Sequence, residues 1–335
     1  MPINDTLGRP LKDLRVSVLD RCNLRCTYCM PEESLHARGV FLRPQYLLSD
    51  GEIELLVRAF TRLGVHKVRL TGGEPLLRPG FTELVGRIAA VEGITDLALT
   101  TNAILLPRHA DALRAAGLGR ITVSLDSLDE KVFRQMAGER GTVREVLDGI
   151  AAAEHAGFRN IKINTVVQRN INDHTVIDLV DHFRDSGHTV RLIEFMDVGN
   201  VNQWNREQVV PNAELLKAIH DRWPLRPVTK QAASEPARRF VFDDGKGEVG
   251  FISSITEPFC GDCSRARITA EGLFYSCLFS ARGIVLRDKI REGMGEDELV
   301  EVIRDIWARR ADRYSELRNE LPQRQPHVEM YRIGG

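Results

Sequence analysis

Between residues 14 and 195 the chain alternates two rhythms. Short β-rich runs at 14–19, 67–71, 96–101, 120–125, 161–167 and 190–195 are separated by longer stretches whose apolar residues recur every three or four positions. That spacing predicts helices over 49–63, 81–91, 107–116, 143–156 and 172–185, the first opened by a Ser49 cap with Glu52 three residues on. Consecutive βα units of this kind make an α/β fold built on parallel strands. Six of them suit a partial TIM-type barrel, or most of one, better than an open sheet, although periodicity alone does not decide closure. Arg15, Arg69 and Lys162 interrupt otherwise apolar strands, so they are expected to point into the barrel rather than into the helix layer.

Past about residue 210 the rhythm changes. Residues 224–237, rich in Pro, Ser, Ala and charge, read as a linker or exposed loop, followed by short strands at 239–242 and 249–253 and a helix over 296–310. The chain therefore divides into a barrel region, 1–223, and a smaller C-terminal region, 224–335. Residues 245–250 match G-x-G-x-x-G, yet Asp244-Gly245 looks like a hairpin turn between strands. A nucleotide fingerprint needs a strand before it and a helix after it. With no phosphate loop elsewhere, any nucleotide phosphate must be held by side chains.

Composition adds exclusions. With 43% hydrophobic and 28% charged residues the chain should fold, and a net charge of −1 supplies no global field for nucleic acid. No apolar run approaches the roughly 18 residues of a membrane span. The opening Met1-Pro2-Ile3-Asn4-Asp5 lacks a signal-peptide pattern, so the expected location is cytoplasmic.

The six cysteines form two triplets, Cys22, Cys26 and Cys29 near the start and Cys260, Cys263 and Cys277 near the end. In a reduced compartment compact triplets point to metal or redox chemistry rather than disulfides. The first, C-x3-C-x2-C, directly follows the first predicted strand, at the end where barrel active sites sit. Structural zinc would want a fourth ligand, for which His36 is the nearest candidate. Three thiolates on a four-iron cluster instead leave one iron open to a small molecule. This spacing, with Tyr28 before the last cysteine, resembles the radical S-adenosylmethionine (SAM) enzymes. The resemblance implies a [4Fe–4S] cluster whose open iron is chelated by SAM and whose electron cleaves SAM to a 5′-deoxyadenosyl radical. It assigns Thr71-Gly72-Gly73-Glu74-Pro75, through Gly73, to the methionyl amino group, and makes Tyr28, Ser124 and Met196 further SAM contacts.

The second triplet again lacks an evident fourth ligand and reads as a second cluster with one free iron. Arg265 and Arg267 beside it are either a solvated charge pair or a clamp for a planar anion or nucleotide. Both triplets, the run Cys-Gly-Asp-Cys-Ser-Arg-Ala-Arg, the opening Leu14-Arg15-Val16-Ser17 and the terminal Gly334-Gly335 resemble the GTP 3′,8-cyclase family of molybdenum cofactor biosynthesis over essentially the whole chain. The resemblance implies a radical SAM partial barrel with a cluster-binding C-terminal extension, two [4Fe–4S] clusters, SAM at the first, and GTP between them. The adenosyl radical removes the ribose 3′ hydrogen and the carbon radical closes onto C8, giving (8S)-3′,8-cyclo-7,8-dihydroguanosine 5′-triphosphate. Cys22, Cys26, Cys29, Arg265 and Arg267 then carry the catalytic roles, and Arg15, Arg69, Thr100, Lys162, Arg265 and Arg267 hold GTP, with Lys67 and Arg191 as additional contacts. Several Arg and Lys at strand ends are what could neutralise a triphosphate without a phosphate loop. The implied partners are a one-electron reductant and the cyclic pyranopterin monophosphate synthase that receives the product, with no nucleic acid and no membrane; a homodimer stays open.

Ala103 departs from the family, which usually has Gly after Thr100-Thr101-Asn102. If that position takes a positive φ, Ala costs stability or shifts the turn that places Thr100. Two other readings compete: a radical SAM enzyme with an auxiliary cluster acting on a peptide or other substrate, which would usually carry more cysteines, and an iron–sulfur or zinc scaffold, which would not turn over SAM.

Overall fold

Alternation of apolar and polar residues within each strand sets the architecture. A computed structural model describes residues 2–32, 41–230, 232–320 and 327–334. Strands β1 (Asp13–Ser17), β2 (Lys67–Thr71), β3 (Asp96–Thr101), β4 (Arg120–Ser124), β5 (Lys162–Val167) and β6 (Thr189–Glu194) lie side by side and parallel. Helices Asp50–Thr61, Phe81–Ala89, Ala110–Ala115, Glu130–Met136, Val143–His155 and Val176–Phe183 fill the connections between them. Outward residues Leu14, Val16, Val68, Leu70, Leu97, Leu99, Ile121, Val123 and Ile163 form one core with Phe60, Leu84, Ile88, Leu113, Val146 and Ile150 of the helices. Residues of the opposite parity face the interior, as the two-residue period of a strand requires.

The C-terminal strands extend this sheet at both edges. β7 (Leu225–Val228), β8 (Arg238–Phe242) and β9 (Glu248–Ile252) add beyond β6, while β10 (Arg265–Ile268), β11 (Leu273–Tyr275) and β12 (Ile284–Val285) add beyond β1. β9 runs parallel to β6 and β10 parallel to β1. The sheet ends in β12 on one side and β7 on the other, so the barrel is partial. Helix Glu296–Ala308 packs on helix Asp50–Thr61, buries Trp307 completely, and is tied down by Arg62 at 2.6 Å from Asp297.

The differences from the sequence reading have local causes. The expected linker contains β7, whose Pro227 hides the strand pattern; β7 pairs only with β8, and an edge strand tolerates a residue without an N–H. The 107–116 helix shortens to Ala110–Ala115 because Pro107 sits in a separate 3₁₀ turn, Leu106–Arg108. Asp244-Gly245 indeed lies in the hairpin turn between β8 and β9, with Gly245 and Gly247 at φ +77° and +96° and residues 248–250 within β9.

Ala103 adopts φ 68° and is fully buried, so the turn keeps its left-handed geometry without glycine, at a cost of about 1–2 kcal/mol. Thr101 Oγ1 accepts the Ala103 N–H at 3.0 Å and Asn102 Oδ1 accepts that of Ile104 at 3.2 Å, which stabilises the turn. Helix Val143–His155 presses against it so closely that a Cβ on Gly149 would stand 2.1 Å from the Ala103 carbonyl oxygen. Gly149→Ala should therefore lower stability by roughly 1–3 kcal/mol through overpacking, instead of giving the gain Ala ordinarily brings to a helix. Urea unfolding of both proteins decides it, and an equal or higher midpoint for the variant contradicts this packing.

Candidate active site

The inward residues enclose a cavity of about 1040 Å³. Its wall includes Arg15, Lys67, Arg69, Thr100, Lys162, Arg191 and Met196 from the barrel and Cys260, Cys263, Cys277, Arg265 and Arg267 from the C-terminal region. Thus the residues assigned to phosphate and base share one space with the second cysteine group. Strand register aligns them further: Arg267 lies beside Arg15, Arg15 beside Arg69, Arg69 beside Ala98, and Ala98 beside Arg120. Four guanidinium groups occupy one row across five parallel strands.

Arg69 and Arg267 are buried, Arg15, Lys162, Arg191 and Arg265 half-buried, and they repel one another. Burial, then Arg265 and Arg69, holds the Arg15 guanidinium well below its usual range. Burial, then Arg15 and Arg265, does the same to Arg267. Burial followed by neighbouring arginines brings Arg69 to about 9, Arg191 to about 10 and Lys162 to about 8. Asp13 and Asp96, at the starts of their strands, pair with Lys67 at 2.8 Å and with Arg120 at 2.7 Å. Deeper in, the acceptors are neutral. Arg69 donates to the Thr100 and Thr122 hydroxyls at 3.0 Å each, and Arg191 to Asn164 Oδ1 at 2.9 Å. Arg265 lies over the Phe259 ring at 5.1 Å. Gly250, the last glycine of the rejected fingerprint, stands opposite Arg191, where a Cβ would come 3.2 Å from Arg191 Cγ. An anion is what this wall is built to receive.

The first cysteine group lies beyond the C-terminal ends of the strands. Cys29 and Met30 donate their N–H groups to the Cys26 carbonyl at 2.9 Å, and the Leu24 N–H points at Cys22 Sγ, 3.4 Å away. Gly72 and Gly73 press against this loop: added Cβ atoms would stand 2.4 Å from the Leu19 carbonyl oxygen and 2.2 Å from that of Arg21. The glycines thus join two loops, with Gly73 N–H donating to Leu19 and Glu74 N–H to Arg21 at 2.7 Å each. Glu74 itself accepts from Leu76, Thr101 and Asn102, while Tyr28 donates to Asp126 at 2.8 Å. Burial raises Glu74 to about 7 and Asp126 to about 6. Burial, followed by nearby acidic groups, pushes Cys22 up to about 11 and raises Cys26 and Cys29 strongly. Ser124 ends β4, beside Asn164 of β5.

The second group has mixed surroundings, the Asp312 carboxylate adding to burial at Cys277. Burial pushes Cys277 up to about 12, but Arg265 and Arg310 outweigh burial at Cys263 and bring it to about 6. The Phe279 N–H points at Cys277 Sγ, 3.5 Å away. In both groups a backbone N–H two residues on approaches a cysteine sulfur, as at iron–sulfur clusters. Three thiols per group with such donors fit a cluster in which each thiolate takes its own iron.

The C-terminal helix Met330–Ile333 reaches both groups. Glu329 is close enough to Cys29 to help raise its thiol, Met330 lines the cavity, and Arg267 donates to the Gly334 carbonyl. A Cβ on Gly334 would meet Thr71 Cγ2 at 2.2 Å. His36 and Gly335 lie outside the described residues. Thr122, Asn164, Arg120 and Asp126 were missed by sequence reasoning. Strand parity could have found Thr122 and Asn164, two residues from inward Arg120 and Lys162, but Asp126 carries no local signal.

The chain matches the family model described as Radical SAM superfamily over residues 16–183 and that described as Molybdenum Cofactor Synthesis C over residues 188–316. It is 54% identical over 334 residues to a GTP 3′,8-cyclase of Xanthomonas campestris pv. campestris, covering 100% of this chain and 98% of that protein. To a GTP 3′,8-cyclase of Acidothermus cellulolyticus it is 50% identical over 321 residues, covering 95% and 89%. Among solved structures, Streptococcus suis SuiB bound to S-adenosylmethionine is similar in fold, with TM-score 0.60 at 16% identity over 88% of this chain and 68% of that one.

The position of Lys162 sets a pH dependence. Its ammonium, lowered to about 8, is charged at pH 7 and mostly neutral at pH 9. A bound triphosphate favours the charged form, so affinity falls as pH rises, by about tenfold over that interval if the ammonium is required. Calorimetric titration with a nucleoside triphosphate should show this fall, and Lys162→Met should bind weakly and lose most of this pH dependence. A wild-type affinity that does not change from pH 7 to pH 9 removes Lys162 from the phosphate site.

Proposed function

The chain belongs to the radical SAM GTP 3′,8-cyclase family of molybdenum cofactor biosynthesis, and from that membership we propose how its residues divide the reaction. When bound, a [4Fe–4S] cluster with SAM supplies a 5′-deoxyadenosyl radical that takes the ribose 3′ hydrogen of GTP, after which C3′ bonds to C8. Cys22, Cys26 and Cys29 would hold that cluster, and Tyr28, Gly73, Ser124 and Met196 would hold SAM. Cys260, Cys263 and Cys277 would hold a second [4Fe–4S] cluster next to the base. The observation that carries this reading is the single cavity in which the arginine row meets the second cysteine group.

Arg15, Arg69 and Lys162 would neutralise the triphosphate, with Thr100 and Thr122 fixing the Arg69 fork. Arg265 and Arg267 would lie between phosphate and base. Phe259 supports the plane of Arg265, and the Gly334 carbonyl holds one amino group of Arg267. By filling the space between the two cysteine groups, the C-terminal helix would exclude water from the reacting carbon. Electrons would come from an external one-electron reductant in the cytoplasm, and the product would pass to the next enzyme of the pathway.

Anaerobic reconstitution with iron and sulfide, followed by dithionite, SAM and GTP, should give 5′-deoxyadenosine and a GTP isomer of unchanged mass. Cys26→Ala should abolish both. Cys263→Ala should keep much of the 5′-deoxyadenosine and lose the isomer, and an unchanged isomer yield would remove the role given to the second group. Formation of 5′-deoxyadenosine without any GTP-dependent product from the wild type would make GTP the wrong substrate.

A further inference from the structure

The second cysteine group rests on a buried charge network supplied largely by the N-terminal turn. Arg9 donates through Nη1 to the carbonyls of Cys260 at 2.9 Å and Asp312 at 2.7 Å. Arg310 donates to the Cys263 carbonyl at 2.8 Å. The Asp312 carboxylate accepts from Ser276, the residue before Cys277, at 2.6 Å. One network therefore reaches the backbone of Cys260 and Cys263 and the side chain next to Cys277. Both guanidinium groups are 1% exposed and share the carboxylate of Asp5, which is 0% exposed and stands 2.6 Å from Arg9 and 3.2 Å from Arg310. Arg310 Nε also stands 3.6 Å from the Asp312 carboxylate, which is 32% exposed, so the fully buried part of the network holds two cations against one anion, and Arg265 adds a further cation beside Cys263. The Trp307 ring lies against Arg310 at 4.5 Å and its indole N–H donates to the Arg9 carbonyl at 3.2 Å, so both cations are fixed in place. Arg9 Nη2 is buried without a hydrogen-bond partner among the described residues.

We propose that Asp5, Arg9 and Arg310 are positioning residues that aim the three C-terminal thiolates at one cluster and set its electrostatic potential. The proposal rests on the reading that Cys260, Cys263 and Cys277 hold an iron–sulfur cluster. A cluster bound by three thiolates is an anion whose negative charge grows on reduction, so fixed positive charge beside it favours the reduced form. Removing Arg310 must lower the potential and neutralising Asp5 must raise it.

The test uses the full chain with Cys22, Cys26 and Cys29 all replaced by Ala, reconstituted with iron and sulfide, so that the second group is read alone. Iron content is measured first. Potentials then follow from redox titration monitored by electron paramagnetic resonance. In this background Arg310→Met should leave the cluster about tenfold less reduced at a fixed potential, a shift of about 59 mV for one electron. Arg310→Lys should restore most of that shift, and Asp5→Asn should move the potential the opposite way. A purely structural role would lower iron content in each variant without opposite potential shifts. If Arg310→Met does not fold, a raised potential in Asp5→Asn beside a nearly unchanged one in Arg310→Lys supports the proposal, and a lowered or unchanged potential in Asp5→Asn overturns it; where Arg310→Met folds, both signs are required. Shifts of one sign, or none, overturn the proposal while the cluster reading stands. Absence of iron from the parent background overturns the cluster reading and the proposal together.

Discussion

Arginines set side by side across parallel strands are the constraint on which the rest of this structure depends. Parallel register makes Arg267, Arg15 and Arg69 immediate neighbours, where like charges destabilise and burial adds to the cost. Carboxylates could have relieved the strain, and at the strand starts Asp13 and Asp96 do so for Lys67 and Arg120. Deeper in, the partners are the hydroxyls of Thr100 and Thr122, the amide of Asn164 and the carbonyl of Gly334. Neutral acceptors orient a guanidinium without cancelling its charge, so the field stays available to an anionic substrate. The barrel thereby trades stability of the empty site for preorganisation of the filled one.

The same logic separates the two cysteine groups. Near the first, burial raises the thiols most, then the neighbouring Cys22 at Cys26 and Cys29, with Glu74, Asp126 and Glu329 adding to it. Near the second, Arg265 and Arg310 pull Cys263 down. Charge around a cluster is one of the few means by which a protein moves its potential. An acidic setting suits a strong one-electron donor, because added negative charge is disfavoured there. A basic setting suits a cluster that keeps its electron and binds an electron-rich base. On the proposed reading, one chain would give two sets of three cysteines different tasks through residues that are not themselves cysteines.

How much of this was legible follows from the range of each interaction. β1 to β6 and the helix capped by Ser49 were visible because their patterns are local, and the cap is present with Glu52 as expected. Both triplets were visible because a cluster loop is short. The inward turn of Arg15, Arg69 and Lys162 followed from parity alone. β10 was not visible, since its pairing partner β1 lies some 250 residues earlier and Arg-Ala-Arg-Ile has no strand-like run of its own. That pairing is what brings Arg267 beside Arg15. Pro227 concealed β7 for a reason that an edge position cancels. At Ala103 the family pattern pointed to a backbone requirement, and the φ of 68° shows that the requirement persists although the glycine is gone.

The join between the chain's two ends explains why the second group cannot be a separable module. Its loop is held from below by β10 on β1, from behind by Arg9 and Asp5, and from the side by Arg310 at the end of the helix that packs on Asp50–Thr61. Each contact closes a long loop, whose entropy cost grows only slowly with length. β10, β11 and β12 pair locally with one another, so it is the β10–β1 strand pairing alone that fastens this edge to the barrel sheet, and a metal centre held by the second group would add its binding energy to that junction. An anionic substrate bound as proposed would act in the same direction, relieving repulsion between Arg267 of β10 and Arg15 of β1 across the seam that joins the two ends. Occupancy of the site would then stabilise the closed fold through this pair of strands.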